Sequence, residues 1–107
     1  MGQETLDGVD LSRLRAEYDR KVHDALPAQA RAGEDWPIQA DHCFARVVLD
    51  NLFQDVWYDH VNGRPAYNHL AQDELRTAIE LADRMLADGK PVVADLNENS
   101  LRWRTDR

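Results

Sequence analysis

The lone cysteine of this chain stands directly after a histidine, His42-Cys43, and Asp41 precedes them at what reads as the start of a helix. A thiol near a helix N-terminus is biased toward thiolate, because the aligned peptide dipoles favour negative charge there. Cys43 with His42 assisting is therefore the candidate catalytic pair for thiol chemistry. The competing reading is a small buried hydrophobe, which is what a free cysteine most often is. One turn further on, Arg46 and Asp50 are spaced to pair on the helix surface. Alternatively Arg46, set among Val47, Trp57 and Tyr58, offers an anion a charged anchor in a partly apolar setting. Trp57-Tyr58-Asp59-His60 and the later Arg102-Trp103 gather aromatic and hydrogen-bonding groups near helix ends. Such clusters line ligand pockets and partner surfaces, and they also close cores. Arg46, Trp57, Tyr58, His60, Arg102 and Trp103 are accordingly the candidate binding residues.

Metal chemistry finds little support. On one straight helix His42 and His60 would be separated by roughly 27 Å, too far to share an ion. His23 and His69 add no i, i+4 pair, and no CxxC motif is present. No cofactor motif is present either.

These side chains need positioning elements. Wound at 100° per residue, the stretch 41–60 presents an apolar face of Ala45, Val48, Leu49, Leu52, Phe53 and Val56, and Val47, Trp57 and Tyr58 interrupt its polar face. A helix apolar over more than half its circumference is covered on several sides, which predicts a central helix at 41–60 with Asp41 as N-cap. Leu11, Leu14, Tyr18, Val22, Ala25 and Leu26 form a stripe at steps of three and four that Pro27 ends or kinks. Residues 27–40 read as a connector after one more turn, with Trp36-Pro37-Ile38 as an apolar anchor. Val61-Asn62-Gly63-Arg64-Pro65 reads as a turn between helices. Leu70 and Leu75 are placed for a hydrophobic staple around Ala71, and Leu75, Ala78, Ile79, Ala82, Met85 and Leu86 make the cleanest stripe. Gly89 suits the end of that helix and Pro91 the start of the next, which uses Val92, Val93, Leu96 and Trp103. The expectation is an all-α fold: one domain over residues 1–107, a small bundle of about four helices, with 1–9 and 104–107 frayed.

With 107 residues, 43 % of them hydrophobic, the chain is long enough to bury a core. A single cysteine excludes an internal disulfide, and no apolar run is long enough to span a membrane. A cytoplasmic protein without a membrane partner is the inference. The net charge of −7 disfavours nucleic acid, which needs a basic face. Only the tail, with Arg102, Arg104 and Arg107 against Asp106, leans basic. The partners that fit are a protein or a small anionic ligand, with a second copy of the chain as a further candidate.

Asp41-His42-Cys43-Phe44-x-Arg46-Val47, Arg64-Pro65-Ala66-Tyr67, the helix from Leu75 and Asn97-x-x-Ser100-Leu101-Arg102-Trp103-Arg104 together resemble a small bacterial family often labelled GCN5-related N-acetyltransferase, over residues 36–104. That label implies an acyltransferase, an α/β fold whose sheet grips acetyl-coenzyme A, and a Gly-rich loop whose amides bind the pyrophosphate. Glycines 2, 8, 33, 63 and 89 do not supply that loop's spacing. The residues themselves lead to a helical binding protein with its site beside the central helix, ahead of a thiol-dependent enzyme or redox protein using Cys43.

Overall fold

The computed structural model describes residues 2–106, and the side chains of residues 11–106. Four helical rods make the all-α bundle that the apolar periodicities predict, and no strand occurs among the described residues. The sheet implied by the acetyltransferase label thus has no counterpart among them.

The first rod comprises α1 (Gly2–Asp19), a π-helical segment (Arg20–Ala25) and α2 (Leu26–Ala32). Pro27 does not end it. A proline inside an α-helix lacks an N–H and collides with the carbonyl one turn back. Here the wide turn just before it, in which the Leu26 N–H donates to the Lys21 carbonyl, resets the hydrogen-bond register. The rod therefore runs to Ala32, further than the single extra turn expected. Tyr18, Val22, Leu26 and Ala30 are buried along it. Lys21 ties it to α4 (Gln72–Asp88) by bridging Glu17 at 2.7 Å and Asp83 at 2.6 Å.

The central helix α3 spans Asp41–Phe53, seven residues shorter than expected. Gln54 turns left-handed (φ 54°), and its N–H and that of Asp55 both return to the Asp50 carbonyl. The chain then forms a 3₁₀ turn at Trp57–Asp59 and, after Val61–Pro65, a second at Ala66–His69. The N-cap of α3 is Ala40, so Asp41 occupies the first helical position instead. The Trp36 anchor is as expected: its ring meets Phe44 edge-on at 6.3 Å, and Ile38 is buried.

Ala71 is the N-cap of α4, with Leu70 and Leu75 buried on either side of it. Glu74 accepts the Ala71 N–H at 2.8 Å, half of a capping box, since alanine has no hydroxyl to return the bond. Leu75, Ala78, Ile79, Ala82 and Met85 are buried as the stripe predicts. Gly89 alone joins α4 to α5 (Lys90–Thr105), taking φ 71°, where a Cβ is disfavoured. α3 packs on α4, α5 and the π-helical segment, which places it at the centre of the bundle. Helix α5 continues through Arg104, which is anchored to Asp50.

Candidate functional site

Asp50 and Ser100 are the fully buried polar side chains among the described residues, and they touch. The Asp50 carboxylate accepts four hydrogen bonds: Arg104 Nε at 2.8 Å, Arg104 Nη2 at 3.2 Å, Ser100 Oγ at 2.6 Å and the Trp57 backbone N–H at 3.0 Å. The carboxylate raises the Arg104 pKa further, and the guanidinium also lies 5.3 Å from the Tyr58 ring centre. Arg46 does not pair with Asp50. Its Nη1 donates to Ser100 Oγ at 2.7 Å and its Nη2 to Asn97 Oδ1 at 2.8 Å. The i, i+4 ion pair expected on α3 is thus replaced by contacts to α5, since α5 covers the face that helical spacing alone assigns to solvent. Asn51 continues the same seam, donating to the Leu96 carbonyl at 2.9 Å.

On the other side of Arg46 lies a cleft of ≈ 220 Å³. One face of α3 supplies His42, Ala45, Arg46 and Leu49, residues that the helical repeat stacks in line. The first rod supplies Tyr18 and His23, the first 3₁₀ turn Trp57, and the following segment Arg64, Pro65, Ala66 and Tyr67. The rings of Tyr18 and Tyr67 lie 5.3 Å apart, and the Arg64 guanidinium sits 5.1 Å from the Trp57 ring centre. Arg15 holds the Tyr67 segment against α1 by donating to the Asn68 carbonyl at 3.1 Å.

The electrostatics of the cleft oppose those of the chain. His23, His42, Arg46 and Arg64 line it, and no Asp or Glu does among the described residues, in a protein of net charge −7. Asp41 stands just outside. Its carboxylate accepts a hydrogen bond from His23 Nδ1–H at 3.0 Å and lies 3.8 Å from His42 Nδ1. The His23 hydrogen bond holds the Asp41 carboxyl below the usual carboxylate range. Tyr18 is 1 % exposed and its hydroxyl has no hydrogen-bond partner among the described residues. Burial pushes its pKa up, so the phenol stays neutral.

Of the residues singled out in the sequence, Arg46, Trp57 and His42 therefore meet at one cleft. Cys43 does not line it: the thiol is half-buried and packs against the core from the neighbouring face of α3. Tyr58 lies with Arg104. His60 stacks on Phe53, with ring centres 4.9 Å apart, and pairs with Asp55 at 3.1 Å. Arg102 is exposed and donates to Asn99 at 3.1 Å, while Trp103 is a half-buried residue of α5. The cleft residues that spacing does not reveal are Tyr18, His23, Arg64 and Tyr67. Tyr18 reads as one more core position on an apolar stripe. The one available signal is the basic-aromatic run Arg64-Pro65-Ala66-Tyr67. No group of three or more His, Cys, Asp and Glu side chains placed to hold a metal occurs among the described residues, and none of their helices is long and apolar enough to cross a membrane. Compared with known proteins, the chain matches no family model, no curated protein and no solved structure.

Proposed function

We propose that the protein binds a small anionic ligand in the cleft beside α3. The observation that carries this reading is the charge reversal: two arginines and two histidines, and no acidic side chain, line the cleft among the described residues of a strongly acidic chain. The walls are aromatic and aliphatic, the composition typical of small-molecule sites, in which a few placed polar groups set orientation. A guanidinium bound to neutral acceptors keeps its full charge for a ligand, and Arg46 is bound to a serine hydroxyl and an asparagine oxygen. Arg64, exposed and laid against Trp57, has no such contact among the described residues and can close on a bound anion. The thiol reading has less behind it, because His42 lines the cleft and Cys43 lies outside it.

Isothermal titration with small organic anions, followed in parallel by tryptophan fluorescence, tests the proposal. Binding is expected to weaken roughly tenfold in Arg64→Ala, the loss of one charge-assisted contact, and to be screened by salt. Failure of every anion to bind, or an Arg64→Ala variant that binds as well as the parent, refutes it.

A further inference from the structure

We infer that the ligand is a carboxylate carried on a single aromatic ring, and that Ser100, which does not line the cleft, sets the preference for its charge by fixing the Arg46 guanidinium. The inference rests on the cleft being a ligand site. Size comes first. A cavity of about 150 Å³ holds benzene, so ≈ 220 Å³ admits one ring and a carboxylate-sized group. The rings of Tyr18, Tyr67 and Trp57 all line the cleft and give such a ligand aromatic walls.

The charge is set by a relay behind the wall. A serine hydroxyl has one proton, and the 2.6 Å contact to Asp50 Oδ2 takes it. Only lone pairs then face Arg46, whose Nη1 approaches Ser100 Oγ at 2.7 Å while Asn97 holds Nη2 at 2.8 Å. The charge of Asp50 is matched by the two-point contact from Arg104, so it leaves Arg46 unneutralised. The same carboxylate holds the Trp57 backbone N–H. One buried hub thus positions both a charged and an aromatic wall, and a pre-organised guanidinium loses less side-chain freedom on binding. A planar carboxylate matches the guanidinium fork. A phosphate dianion carries more charge than a carboxylate and is repelled more by Asp41, which stands just outside the cleft beside His23 and His42.

The test titrates the full chain with benzoate, benzamide, acetate and phenyl phosphate, and repeats the benzoate and benzamide titrations on Ser100→Ala, Ser100→Thr and Asn97→Ala. Benzoate is expected to bind roughly tenfold tighter than benzamide or acetate, and tighter than phenyl phosphate. In Ser100→Ala that preference over benzamide is expected to shrink about fivefold with benzamide affinity unchanged, and Ser100→Thr, which keeps the hydroxyl, to restore it. Asn97→Ala, at a half-buried position, reads the same ratio if Ser100→Ala does not fold. No binding of any probe overturns the cleft reading itself. Benzamide or acetate equal to benzoate, or phenyl phosphate tighter than it, leaves the cleft standing and overturns the ligand class. An unchanged ratio in the Ser100 and Asn97 variants, or an equal loss of both ligands, overturns the positioning role.

Discussion

Removing Arg104 should expose how much the buried hub contributes to stability. In Arg104→Met the Asp50 carboxylate, wholly buried, loses two of its four donors and keeps Ser100 Oγ and the Trp57 N–H. Breaking a buried pair by deleting one partner costs about 3–5 kcal/mol. The expected value is about 3 kcal/mol, at the low end, because the Arg104 side chain is 27 % exposed and water can take its place. Asp50→Asn keeps the shape, yet turns an amide N–H₂ toward donors and weakens several charge-assisted bonds, each worth about 1.5–3 kcal/mol. Its expected cost is also about 3 kcal/mol, moderated by the solvent that reaches Arg104. The double variant carries neither charge, so it should cost about 2 kcal/mol less than the sum of the two. Urea denaturation followed by far-ultraviolet circular dichroism measures all four corners of the cycle, with an unchanged slope confirming that the unfolding reaction is the same. Additivity within about 0.5 kcal/mol, or an Arg104→Met cost below about 1 kcal/mol as for a surface pair, would refute the reasoning.

Ile79→Ala should cost about 2–5 kcal/mol in the same assay, and Leu52→Ala less, because Leu52 is only partly covered; equal costs would mean the α3 face is misjudged. The folded protein should react slowly with a thiol-specific reagent and faster once unfolded, since Cys43 is half-buried against the core; rapid labelling of the native state would revive the thiol reading. The Asp41 pKa is lower in the folded state than in the unfolded chain, so its stabilising effect is present above the ordinary carboxylate pKa of about 3.9 and is lost as pH falls below it. Denaturation midpoints of the parent and Asp41→Asn should therefore differ near neutrality and converge in acid, and a difference independent of pH would count against the His23 contact.

What the sequence determined is what is local. The stripe from Leu75 to Met85 closes on itself within one helix, and Gly89 and Pro91 punctuate by backbone preferences that need no partner. The same holds for Leu70 and Leu75 around Ala71. Where long-range contact intervened, local reading failed. Asp50 falls on the polar face of its helix by spacing, and it is buried because α5 returns to cover it with Ser100 and Arg104, fifty and more positions later. The same contact shortened α3, for Asp50 captures the Trp57 N–H that a continued helix would have used internally, and Gln54 turns left-handed without the glycine that would have announced it. Arg46 and Trp57 were legible as candidates from their types. That they face Tyr18 and Tyr67 was decided by the packing of the first rod and the second 3₁₀ turn around α3. Side-chain type and periodicity are properties of a short segment; burial and charge pairing belong to whichever distant segment folds over it.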